Sequence, residues 1–205
     1  MNEIAETRPS PISGKWYSGE PEQLRKQVDQ YLSSARIPEL TGRVVAVIAP
    51  HAGHRYSGQT AGYAFAPLVG QQRDLVAIVS PVHAPYPATL LTTAHQAYET
   101  PLGAVRVDQE ALLRLDEELT RDGIPLTPVA YDQEHSLEIE LPFLQRALRG
   151  SFQLLPVMIR SQSPLMARRL GHGLAQVLKD KNSLLVASTD LSHFYPEEMA
   201  RELDM

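Results

Sequence analysis

The stretch Ile48-Ala49-Pro50-His51-Ala52-Gly53-His54-Arg55-Tyr56-Ser57-Gly58 ends a β-rich apolar run, residues 43–49 (RVVAVIA), on a proline and a histidine. The same event recurs twice further along the chain. Residues 75–79 run into Ser80-Pro81-Val82-His83, and residues 184–187 run into Ser188-Thr189-Asp190-Leu191-Ser192-His193. Three of the seven histidines therefore follow the end of an expected buried strand. In one parallel sheet such ends share an edge, which is where open α/β sheets place their ligands. Converging imidazoles point to a metal site. His51 and His83 read as its ligands, because each leaves its strand through a short proline-containing turn that fixes the backbone. Their two strands are expected to be neighbours.

The rest of the composition narrows the field. With 205 residues, 43% hydrophobic and 21% charged, the chain fits one domain over residues 1–205. Its net charge of -5 and its lack of long basic runs argue against a nucleic-acid partner. No window approaches the roughly 20 apolar residues of a membrane span, and Glu3 and Glu6 interrupt any signal-like start, so a cytoplasmic location away from membranes is expected. Zero cysteines leave His, Asp and Glu as the side chains able to hold a metal.

Residues 8–19, with their prolines, glycines and Trp16-Tyr17, read as a loop pinned by aromatics. Pro21 opens a helix whose stripe is Leu24, Val28 and Leu32. The 43–49 run predicts a strand covered on both faces. Gly53 and Gly58 read as turns before a helix over 59–69. Strands are expected over 74–80 and 88–93, the latter paired with 104–107. Asp108 caps a helix over 109–121 with Leu112, Leu115 and Leu119 facing inward. A short strand over 127–130 precedes the polar cluster Tyr131-Asp132-Gln133-Glu134-His135-Ser136 and a leucine-striped helix that Pro142 should bend. A strand over 152–159, a helix over 164–179 opened by Ser163-Pro164, and a strand over 183–188 complete the pattern. The alternation predicts α/β architecture with a mixed or mostly parallel central sheet flanked by helices.

His193, with Asp190 nearby, reads as a third ligand or as a base held by its neighbour. His135 has two even readings, a pocket residue or the start of a helix with stabilising acids in its first turn. His54 reads as lining the entrance, His95 and His172 as surface residues, and Tyr56 and Tyr98 as packing groups. No GxGxxG, Walker or G-x-S-x-G pattern occurs, which argues against a nucleotide in the glycine-containing turn and against a serine hydrolase.

Ala49-Pro50-His51-Ala52-Gly53 with Tyr56-Ser57-Gly58, then Pro81-x-His83, Thr100-Pro101-Leu102-Gly103, Asp132-x-Glu134-His135-Ser136-x-Glu138, Leu141-Pro142-Phe143 and the 188–193 motif together resemble the Memo family. Its bacterial members are called AmmeMemoRadiSam system protein B. With Gly14-Lys15-Trp16-Tyr17, the resemblance covers nearly the whole chain. It implies the fold of the class III extradiol dioxygenases, in which two histidines and a carboxylate bind non-haem Fe(II) and a further histidine is the acid/base. Carried over, it makes His51 and His83 ligands of a divalent metal, with Fe(II) the foremost choice. It makes His193 the acid/base beside Asp190, and His135 a pocket residue of the catalytic set.

The family's third ligand is a cysteine near its C-terminus, whereas this chain has no cysteine and reaches Met205 soon after His193. The resemblance therefore implies that the family's C-terminal portion is lacking, that metal binds weakly, and that an exposed apolar surface favours homo-oligomers. His54 stands where relatives carry tyrosine. The implied function is a metal-dependent oxidoreductase of dioxygenase type. The alternative is a non-catalytic peptide-binding or metal-handling protein, with a metal-dependent hydrolase a weaker third reading. Expected partners are a small-molecule or peptide ligand, with a functional link to radical-SAM and AMMECR-type proteins.

Overall fold

The computed structural model describes residues 6–161 and 163–205. In chain order its elements are β1 (Thr7–Arg8), α1 (Pro21–Ser34), β2 (Ala46–Ala49), α2 (His54–Phe65), β3 (Leu75–Pro81), β4 (Leu90–Thr93), β5 (Ala97–Tyr98) and β6 (Val105–Arg106). These are followed by α3 (Gln109–Arg121), β7 (Thr127–Val129), α4 (Leu141–Ala147), β8 (Gln153–Ile159), α5 (Pro164–Leu178), β9 (Ser183–Ser188) and α6 (Glu197–Asp204). Six strands form one sheet in the order β2-β9-β3-β8-β4-β7, and β1-β5-β6 form a small second sheet. The large sheet is mixed and mostly parallel. β2, β9, β3 and β8 run together, and β4 joins β8 antiparallel before pairing parallel with β7.

β3 is central because its apolar run is covered on both sides, with Leu75, Val76, Ala77 and Ile78 all buried. β9 inserts between β2 and β3, so the strands that precede His51 and His83 are not neighbours as the sequence suggested. β2 also departs from its expected two-sided burial. As an edge strand it alternates, with Val47 and Ala49 inward and Ile48 68% exposed. The 88–93 run pairs with β8 and β7, while 105–106 pairs instead with β5.

The helices follow their stripes. Leu24, Val28 and Leu32 bury the inner face of α1, and Ala111, Leu112, Leu115 and Leu119 that of α3, whose Asp108 cap accepts from the Ala111 N–H at 2.9 Å. α2 begins five residues earlier than expected, and Gly58 lies inside it rather than in a turn. A Cβ on Gly58 would stand 2.5 Å from the Tyr31 ring, and one on Gly62 2.5 Å from the Tyr31 carbonyl oxygen, so these glycines let α1 lie against α2. Pro142 sits in the first turn of α4 and opens that helix after a 3₁₀ turn at Glu138–Glu140, instead of bending a longer one. Among the described residues, no helix is long and apolar enough to cross a membrane.

Candidate metal centre

The parallel strands β2, β9 and β3 all end at one edge, and the loops beyond them carry His51, Asp190 and His83. The loop between β7 and α4 brings His135 to the same place. Ring centroids lie 5.4 Å apart for His51 and His83, 5.7 Å for His51 and His135, and 4.6 Å for His83 and His135. One nitrogen of each ring lies within 4.8 Å of the others. Two metal bonds of about 2.1 Å reach at most about 4.2 Å, so a pair at the outer limit would close by about half an ångström on sharing an ion.

The orientation of the rings comes from their neighbours. Glu134 is hydrogen-bonded to Nδ1 of His83 at 3.0 Å and stands 3.2 Å from Nδ1 of His135, a charge contact with that ring. It also accepts the backbone N–H groups of His83, His135 and Ser136, at 2.6, 2.8 and 3.0 Å. Burial opposes its charge, yet these bonds hold its acid down at about 2, so it is an acceptor at neutral pH. Nδ1 of His51 lies 3.0 Å from Oγ of Ser188. With Nδ1 of His51 and of His83 engaged, Nε2 is the atom those two rings have left for a metal. Burial lowers the His51 imidazole, with Asp190 opposing and His83 reinforcing the shift, and it lowers His135 to about 4 against the pull of Glu134. Both are neutral at pH 7, the form that binds metal.

The loop carrying His135 is itself clamped. Arg8, 1% exposed, pairs with both oxygens of Asp132, reaches Glu138 at 2.5 Å, and donates to the carbonyl oxygen of Glu134 at 2.7 Å. Tyr17 and Ser10 donate to the other oxygen of Glu138. The N-terminal strap thus fixes the 132–138 loop from below. Tyr131, at φ 55, turns the chain into that loop, and its N–H is received by Nε2 of His95 at 3.0 Å. His95 is buried, contrary to its reading as a surface residue, whereas His172 is exposed. The Trp16 ring lies 4.0 Å from that of His135.

Asp190 accepts the backbone N–H groups of His51 and Ala52 through Oδ1, at 2.6 and 3.0 Å. Its Oδ2 stands 3.7 Å from Nε2 of His51, at the edge of the triad. His193 is exposed, its Nδ1 3.0 Å from the Leu191 carbonyl oxygen, but its charge still bears on His51. His54 is buried behind the site against Tyr17, Tyr31 and Phe143, its Nε2 3.2 Å from the carbonyl oxygen of Ile139. It does not join the triad, and it lines the cleft beside Trp16.

The donor set suits a borderline metal ion: three imidazoles, two of them hydrogen-bonded from behind, with a carboxylate at the edge. Glu134 and Ser188 are the residues that sequence reasoning passed over. The signal for Glu134 was present in the alternation Asp132-x-Glu134-x-Ser136-x-Glu138, whose acids are buried rather than strewn along a helix start.

Comparison with known families matches the Memo-like protein family over residues 8–205. A MEMO1 family protein of Nitrosopumilus maritimus is 31% identical over 199 residues, covering 94% of this chain and 71% of that protein. One from Methanopyrus kandleri is 32% identical over 214 residues, covering 96% and 72%, and one from Caldivirga maquilingensis is 31% identical over 212 residues, covering 97% and 73%. On the span of that match and the agreement of these relatives, the chain belongs to the Memo family.

Proposed function

We propose that this chain is a metal-dependent oxidoreductase of the non-haem iron type, akin to the extradiol dioxygenases, with Fe(II) held by His51, His83 and His135. The supporting observation is that His51, His83 and His135 each bring one nitrogen within 4.8 Å of the others, while Ser188 holds Nδ1 of His51 and the ionised Glu134 holds Nδ1 of His83. Bound Fe(II) would supply Lewis acidity and one-electron chemistry to a substrate at an open position.

The chain's own residues orient and move protons around that position. His83, with a side chain 43% exposed, marks the side open to solvent. Asp190, anchored by two backbone N–H groups, holds Oδ2 beside His51, where it can receive a proton. His193, exposed on the same loop, is the proposed acid/base that passes protons to water. Trp16 shields His135 from one side. Anaerobic loading with Fe(II), followed by oxygen-uptake measurements over a catechol panel, tests the reading. Stoichiometric iron with substrate-dependent oxygen uptake is expected, and retained iron with no uptake for any catechol counts against the oxidoreductase.

A cleft of about 520 Å³ beside Trp16, lined by Lys15, Gln23, Gln27 and Arg55, favours a second reading as a peptide-binding protein. Saturable binding of acidic peptides that Trp16→Ala abolishes, with no oxygen uptake, would support that reading over the first.

A further inference from the structure

Ser188 ends β9 between the strands that lead to His51 and His83, and its hydroxyl has three partners. Oγ lies 2.7 Å from the carbonyl oxygen of Ser136, 2.7 Å from Oε1 of Glu140 and 3.0 Å from Nδ1 of His51. A serine hydroxyl has one proton to give and two lone pairs with which to receive. The carbonyl can only accept, so the hydroxyl proton satisfies it. The other two contacts are then hydrogen bonds only if Glu140 and His51 both donate.

Glu140 donates only as a neutral carboxyl. Its surroundings favour that form, since the side chain is 1% exposed and its Oε2 has no hydrogen-bond partner among the described residues. Burial pushes its acid up to about 8, with the Ser188 bond opposing the rise and the like charge of Asp190 adding to it. Glu134 and Glu140 therefore play opposite parts. The first accepts the His83 ring N–H as a carboxylate, and the second supplies a proton as an acid.

We propose that Ser188 and Glu140 are positioning residues that fix His51 as its Nδ1–H tautomer, which leaves Nε2 as a bare lone pair on the side of the triad. The consequence for metal rests on the reading of the triad given above, but the tautomer is a property of the metal-free chain. Without the hydroxyl, nothing retains the proton on Nδ1. Asp190, 3.7 Å from Nε2, would then favour the proton at the metal-facing nitrogen, where an incoming ion must displace it.

The test is nitrogen-15 NMR of the histidine rings at neutral pH in the metal-free wild type, Ser188→Ala, Ser188→Thr and Glu140→Gln. Wild type is expected to show His51 protonated at Nδ1, and Ser188→Ala to shift it toward Nε2–H. Ser188→Thr keeps the hydroxyl and Glu140→Gln keeps a donor, so both should retain the wild-type tautomer. Zn²⁺ affinity by calorimetry should fall about 10- to 100-fold in Ser188→Ala and less than about threefold in the other two. An infrared band of a protonated carboxyl should vanish in Glu140→Gln. A wild-type His51 already at Nε2–H, a tautomer indifferent to Ser188→Ala, or no such carboxyl band would overturn the proposal. Should wild type hold no Zn²⁺, the metal reading falls, and the ring spectra alone decide this one.

Discussion

The 131–138 loop and the 189–205 segment both border the triad, yet they are held by opposite means. In the first, Asp132, Glu134, Ser136 and Glu138 are buried around Arg8, and each carboxylate has partners. In the second no residue is buried, Phe194 is wholly exposed, and α6 presents Met199 and Leu203 to solvent. Asp190 is the residue of the second segment tied to the first ring, through His51. One side of the triad is thus set by buried charge, and the other by a lightly held loop.

Arg8→Ala carries the largest expected effect. It leaves Asp132 and Glu138 buried without their cation, so a loss of about 3–5 kcal/mol is expected in denaturant unfolding. A loss under about 1 kcal/mol, the size typical of an exposed ion pair, would show the clamp to be dispensable.

The pH profile comes next. His135, lowered to about 4 from 6.5, stays neutral in the fold while the unfolded chain takes a proton, so stability falls as pH drops through that window. Glu140, raised to about 8 from 4.5, binds its proton in the fold after the unfolded chain has released it, so stability also falls as pH rises across that range. Each unit is worth about 1.4 kcal/mol, which makes the loss a few kcal/mol between pH 4.5 and about 8. Glu140→Gln should remove that contribution and gain on wild type as pH rises across the window. A loss over this range that persists unchanged in the variant would refute this assignment.

Glu134→Gln probes the clamped side more finely. It keeps the shape but gives up the charge that binds the His83 ring and stands beside His135, so Zn²⁺ affinity should drop about 10- to 100-fold by calorimetric titration. Unchanged affinity would mean that the rings are oriented by packing alone. The smallest effect belongs to the open side. His193→Ala should alter stability by no more than about 0.5 kcal/mol and leave metal stoichiometry intact, as measured by unfolding and elemental analysis. Lost metal would make His193 a ligand.

Much of this contrast was legible in the chain. Apolar runs stopping on Pro50-His51 and Pro81-x-His83 marked the sheet edge, and the 3–4 spacing of leucines marked α1 and α3. What was not legible depended on contacts between distant residues. Strand order is not written in any one strand, so the insertion of β9 between β2 and β3 stayed hidden, and with it the role of Ser188. Gly58 looks like a turn until Tyr31 of α1 lies against it. The acids around His135 match a helix start in isolation, and they become a clamp only when Arg8, more than 120 residues away, is buried among them. His95 was misplaced for the same reason, because tertiary packing alone decides whether a histidine in a polar stretch is buried.

In the proposed centre His135 joins His51 and His83 as the third imidazole. X-ray absorption of the chain loaded with one equivalent of Zn²⁺ measures this directly. Three imidazole nitrogens at about 2.0–2.1 Å are expected, falling to two in His135→Ala. A spectrum with two imidazoles in wild type, unchanged in His135→Ala, would contradict the account.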